Sequence, residues 1–168
     1  LAAGTSLAAI VPTATVGVIS YATSGAVLWL PALVLAAAAV VGAQIGTSLA
    51  PRIPQRILQW GFVVFLVAVI VSLFLVTPSR DGVFEITVVS GIGLVVLGMI
   101  TGTLSGLLGV GGGIIVVPML VLLFGVSHLA AKGTSLLMMI PTALSGTVGN
   151  LRNKNVDIVA ALLIGGAA

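Results

Sequence analysis

The first 50 residues of the chain contain no Asp, Glu, Lys or Arg, and they divide into two apolar runs at about residues 6–27 and 28–50. A bilayer core takes about 20 apolar residues per helix, so each run can cross one. Ser24, Gly25 and Pro31 mark the turn between them. A soluble fold is excluded, because a water-facing surface cannot be built from such runs. Across the whole chain 60% of the 168 residues are hydrophobic and 5% are charged, against roughly 25% charged in soluble domains. Lipid tails demand no charged coat, but they leave every backbone polar group to be satisfied inside the chain. The expected fold class is therefore all-α, a polytopic transmembrane helical bundle. The absence of cysteine excludes disulfides, thiolate metal sites and cysteine nucleophiles. The net charge of +3 rests on scattered cations with no basic run or aromatic platform. Nucleic acid is thus not an expected partner, whereas the lipid bilayer is.

About seven apolar segments are expected in all. Residues 51–56 (PRIPQR) end the second with two prolines and two arginines, an interfacial loop. The third, about residues 57–76, places Trp60 near one end, where an indole suits the headgroup boundary. Residues 77–85 (TPSRDGVFE) are the most polar stretch and link two regions, 1–76 and 86–168. The fourth segment, about residues 86–108, carries Gly91, Gly93, Gly98, Gly102 and Gly106, which let neighbouring helices approach closely. After Gly109-Val110-Gly111-Gly112-Gly113, the fifth stretch has only 11 residues, 114–124, and contains Pro118. That is short for a crossing at about 1.5 Å per residue. Ser127, His128 and Lys132 read as the next polar break. A sixth span at about residues 133–149, a loop at 150–155 (NLRNKN) and the start of a seventh span near Val156 complete the chain. It opens on Leu1 rather than Met and stops at Ala168 inside an apolar stretch, so it is expected to be a fragment.

The chain also repeats itself. Residues 2–39 align with 131–168 without gaps at a constant offset of 129, with 14 identities. Gly4-Thr5-Ser6-Leu7 matches Gly133-Thr134-Ser135-Leu136, Pro12-Thr13-Ala14 matches Pro141-Thr142-Ala143, and Gly17 matches Gly146. Ordered blocks of this kind do not come from apolar composition alone. If the fifth stretch crosses, five crossings separate the copies, and an odd number inverts the second relative to the first. Arg52, Arg56, Arg152 and Lys154 then share one face, as the bias of Lys and Arg toward the cytoplasm prefers. A re-entrant fifth stretch would separate them. Inverted repeats are typical of secondary transporters, although some channels have them.

At these residues the sequence resembles the TauE/SafE family of membrane permeases, also described as sulfite or sulfonate exporters. The resemblance rests on residues 105–113 (SGLLGVGGG), Val117-Pro118-Met119-Leu120, Ala131-Lys132-Gly133-Thr134-Ser135-Leu136, Asn155-Val156-Asp157 and Gly42-Ala43-Gln44-Ile45-Gly46. It covers essentially the whole chain. One departure is Ala26-Val27-Leu28, the first-copy counterpart of Asn155-Val156-Asp157, which has no acid. The resemblance implies transport of small sulfur-containing anions, such as sulfite or organosulfonates, across the bacterial inner membrane. The alternatives are an anion channel and a non-transporting membrane subunit. A small anionic substrate is the expected ligand and a proton or sodium ion a candidate coupling ion, with no cofactor and no metal.

A small anion at membrane depth needs donors that carry no buried charge of their own, and the N-termini of half-helices supply oriented N–H groups. Gly111, Gly112 and Gly113, ahead of the short stretch with Pro118, fit such a cradle. Gly133, Thr134 and Ser135 at an expected helix start would add hydroxyl donors, and Gly4, Thr5 and Ser6 would supply the repeat-related set. The bland alternatives are packing notches for the glycines and an N-cap for each Gly-Thr-Ser. Lys132 could draw an anion in, or simply snorkel to headgroups. His128 could shuttle a proton, or be an ordinary exposed histidine. Asp157 suits a helix start by charge alone. Pro12, Pro118 and Pro141 are candidate hinges. One histidine, no cysteine and no carboxylate pair within a span make no constellation for catalysis, so an enzyme is not expected.

Overall fold

The computed structural model describes residues 2–75, 88–109 and 111–153. Every regular element among them is a helix: α1 (Ala2–Thr23), α2 (Trp29–Leu49), α3 (Gln55–Leu75), α4 (Val88–Leu108), α5 (Gly113–Phe124) and α6 (His128–Arg152). These fall on the first six apolar segments. The polar linker, Lys154, Asp157 and the seventh segment lie outside the described residues. Helices α1, α2 and α4 are each long and apolar enough to cross a bilayer. Helix α5, with 12 residues, extends about 18 Å and covers little more than half of a hydrocarbon core.

Hydrophobicity cannot sort inside from outside when lipid is the solvent. Val16, Ile19, Leu33, Val41, Val96 and Ile100 point outward, while Leu35, Leu94, Val116, Leu120 and Met138 are buried. Small size and weak polarity do the sorting instead, since they let backbones approach and bond across helices. Ala32, Ala39, Ala43, Thr47, Thr101, Thr134 and Thr142 are accordingly buried.

Helices α2 and α4 meet backbone to backbone. A β-carbon on Gly98 would lie 2.7 Å from Leu35 O, one on Gly102 2.6 Å from Ala39 Cα, and one on Gly106 2.5 Å from Ala43 O. The partner advances four residues for each four along α4, so the two helices run parallel. Helix α6 joins α2 through polar contacts. Gln44 Nε2 donates to the carbonyl and the hydroxyl of Ser145, both at 2.8 Å, and Asn153 Nδ2 donates to Thr47 O at 3.0 Å. These partners also rise together, so α6 is parallel to α2. Arg52 just beyond α2 and Arg152 in the last turn of α6 therefore lie at one end of the bundle.

Helices α1 and α6 pack the other way. A β-carbon on Gly146 would lie 2.9 Å from Leu7 Cδ1, and one on Gly17 2.9 Å from Leu136 Cδ1. The partner falls as the residue number rises, so this pair is antiparallel. Each leucine sits in the notch left by a glycine, and the two contacts exchange repeat-equivalent positions.

The sixth segment differs from its expected form. Helix α6 starts at His128, capped by Ser127, whose Oγ accepts from Ala130 N at 3.3 Å. His128 and Lys132 are therefore helical rather than a break. Gly133, Thr134 and Ser135 lie in the second turn, not at a helix start, and do not cap α6. The serine cap and the helix-favouring Leu129, Ala130 and Ala131 outweigh the local polarity on which the break was placed. At the other end the helix runs through Asn150 and Leu151 to Arg152, shortening the expected loop.

Candidate functional site

The chain reverses sharply between α4 and α5, and glycine makes this possible. Gly109, Gly111 and Gly112 adopt φ of +73°, +79° and +73°, values that a side chain would strain. Gly112 ends up against α4, where a β-carbon would lie 3.6 Å from Thr101 O and 3.7 Å from Ser105 Cβ. At the far end of α5, Phe124 Cζ approaches the same position of Gly93 to 3.1 Å. So α5 runs back along α4. Its start lies level with the middle of α2, because Gly102 and Thr103, beside it on α4, pack on Ala39 and Gly42.

This places the N-terminus of a half-length helix at mid-depth. Gly112 is its N-cap and forms no side-chain cap bond. The amides of Gly113 and Ile114 precede the first intrahelical bonds, which Ile115 and Val116 donate to Gly112 O at 3.1 and 3.0 Å. Both residues border a cavity of about 680 Å³. Its other walls are Val117 and Pro118 of α5, Tyr21 of α1, and His128, Lys132, Ser135, Leu136 and Met139 of α6. His128, Lys132, Ser135 and Met139 recur at the spacing of one helix face. Lys132 is the charged residue of the lining, and no Asp or Glu occurs among the described residues to pair with it. The field of the α5 terminus and the ammonium group thus act in the same sense, toward an anion.

The expected site residues divide. Gly113 and Ser135 border the cavity, with Gly111 and Gly112 behind them. Ser135 Oγ donates to Lys132 O at 2.9 Å and lies 3.8 Å from a β-carbon placed on Gly113. Gly133 faces elsewhere, since a β-carbon there would lie 3.0 Å from Tyr21 Cβ and closer still to Ala26 O. Thr134 is buried, and its hydroxyl accepts from Leu28 N at 3.1 Å. This supplies the start of α2 with a cap from another helix, because Leu28 has no capping side chain of its own. Of the repeat-related set, Gly4 and Thr5 are buried in α1 and Ser6 is exposed, and none of the three borders the cavity. Pro118 lines it; Pro12 and Pro141 sit inside continuous helices, midway between the reciprocal leucine contacts. Tyr21, Ile114, Val117, Leu136 and Met139 were not expected. The i, i+4, i+7 and i+11 spacing from His128 would have revealed the α6 face had the helix been started five residues earlier.

A half-helix opening at mid-depth on an apolar cavity, within a bundle apolar on both its faces, belongs to membrane proteins rather than to soluble ones. Comparison with known proteins agrees. The Bacillus subtilis (strain 168) probable membrane transporter protein YunE is 46% identical over 77 residues, 42% of this chain and 28% of that protein. YdhB of the same organism, also named a probable membrane transporter protein, is 29% identical over 161 residues, 94% of this chain and 66% of that protein. A probable membrane transporter protein of Xylella fastidiosa (strain 9a5c) is 28% identical over 170 residues, 99% of this chain and 65% of its own length. The chain thus spans at most 66% of these relatives. No solved structure matches it at comparable significance. The family model for the sulfite exporter TauE/SafE matches residues 1–168. Its whole described length, from the reciprocal α1–α6 pair to the glycine run ahead of α5, thus lies within one match, and this multi-pass membrane protein belongs to the TauE/SafE family.

Proposed function

We propose that the chain forms part of a secondary transporter that moves small anions, sulfur-containing ones such as sulfite or an organosulfonate, across the bacterial inner membrane. The observation that carries this reading is the α5 N-terminus opening at mid-depth on a cavity whose charged side chain is Lys132. Oriented amides hold an anion without a buried counter-charge, and Lys132 raises the local anion concentration. Five apolar side chains, Ile114, Val117, Pro118, Leu136 and Met139, keep the walls from retaining it. Binding that is weak and brief is what transport requires.

In this reading the two repeats are inverted and work by alternating access. The antiparallel course of α1 and α6 supports inversion, and so do Arg52 and Arg152 at one end of the bundle. The test is uptake of labelled sulfite and organosulfonate by proteoliposomes holding the full-length protein. Saturable flux with counterflow is expected. Unsaturable flux would make the protein a channel, and no flux with any sulfur oxyanion would reduce it to a non-transporting subunit. Cysteines placed at Tyr21 and at Asn153 should label from opposite sides of the membrane; labelling from one side would end the inversion.

A further inference from the structure

Ser105 is 1% exposed, and its Oγ is one of two buried side-chain oxygens among the described residues without a hydrogen-bond partner. Hydroxyls in helices ordinarily bond back to a carbonyl one turn earlier. Thr101 does so to Leu97 O at 2.7 Å and Thr142 to Met138 O at 2.8 Å. Ser105 does not, and it stands against Gly112, the N-cap that begins α5. An unpartnered hydroxyl beside an uncapped helix N-terminus is a set of donors without an acceptor.

Two side chains lie against the glycines on either side of Gly112, whose own β-carbon would lie 3.3 Å from Met138 Cε. A β-carbon on Gly111 would lie 2.7 Å from Met139 Cε and 2.8 Å from Ile10 Cδ1, and one on Gly113 would lie 2.7 Å from Met139 Sδ. Ile10 and Met139 are 129 positions apart, so they are the same position in the two repeats, one on each of two antiparallel helices. Repeat-equivalent side chains that meet on one residue place that residue close to the line relating the copies. Met139 is unbranched and flexible, and it also borders the cavity.

We propose that Ser105 Oγ and the first-turn amides of α5 form a small-oxyanion subsite, and that Ile10 and Met139 are the gate between it and the cavity. The gate rests on the transport reading given above; the subsite can be detected without it. Thermal unfolding of the purified full-length protein with sulfite, sulfate, methanesulfonate and phosphate reads the subsite. At least one anion raises the midpoint of the wild type. Ser105→Ala loses that rise, yet unfolds no earlier without anion, because it removes an unpaired hydroxyl. In proteoliposomes the same variant raises KM roughly tenfold, as loss of a hydrogen bond to a charged group does.

The gate is read by Ile10→Cys with Met139→Cys in full-length protein cleared of any other cysteine; the 168 residues here contain none. Bridging the pair with a short bifunctional thiol reagent that reduction cleaves brings flux to background, and reduction returns it to the level of the untreated double variant. A bridged pair that still transports overturns the gate. No rise with any of the four anions, or an equal rise in Ser105→Ala, overturns the subsite. A rise without flux leaves the subsite standing and overturns the transport reading instead.

Discussion

Glycine has opposite uses in two parts of this molecule. Along the α2–α4 seam, Gly98, Gly102 and Gly106 are ordinary helical residues whose missing β-carbons let one backbone lie on another. At the reversal before α5, Gly111 and Gly112 are left-handed, and what lies nearest them is the ends of side chains, from Ile10, Met138 and Met139, with the α4 backbone at Thr101 O farther off at 3.6 Å from a β-carbon on Gly112. Backbone against backbone cannot yield unless whole helices part. A methionine end moves aside by rotating about single bonds. The fold thus separates a fixed frame from a movable cover by the choice of what touches the glycine.

The largest effect should come from Gly102→Leu. It forces α2 and α4 apart, overpacking that costs about 3 kcal/mol or more, and is expected to abolish monodisperse protein in detergent; a folded, transporting Gly102→Leu would dissolve the distinction. Next is Gly112→Ala, which must hold φ near +73°. About 1 kcal/mol of stability is lost, seen as a modest fall in melting temperature, while anion-induced stabilisation falls further; equal losses would return Gly112 to the frame. Gln44→Leu removes two bonds from α2 to Ser145 and should lower stability by about 1 kcal/mol in a denaturant titration. The smallest effect belongs to Gly91→Ala. Nothing lies within 4 Å of a β-carbon there, so the variant should be neutral or more stable by at most about 1 kcal/mol. A marked loss would show that α4 needs glycine on more than its α2 face.

Much of the frame was legible in the sequence, because bilayer thickness converts run length directly into helices. The glycine-rich α4, the short α5 and the repeat could all be read before any coordinate. The site was legible only in part. The glycine run reads in the sequence as a cradle or a packing notch, and the left-handed turn it makes shows only in the structure; Gly133 and Thr134 serve packing and the capping of α2, a choice that depends on which helix lies opposite. The polarity of His128 and Lys132 reads as a loop and puts the start of α6 five residues late. Here they are polar because that face of the helix meets a cavity. Ser105 opens one of the stretches that carry the family resemblance, but nothing in the sequence marks it as a donor, since a lone serine among glycines reads as one more small residue.

The leucine contacts between α1 and α6 have a mechanical consequence. Leu7 and Gly17 stand five residues either side of Pro12, and Leu136 and Gly146 stand five either side of Pro141. The two contacts therefore act at equal arms about the proline pair, each about 7.5 Å long. Sliding one helix along the other lifts both leucines from their notches at once. The pair is therefore keyed against translation at two points about 15 Å apart.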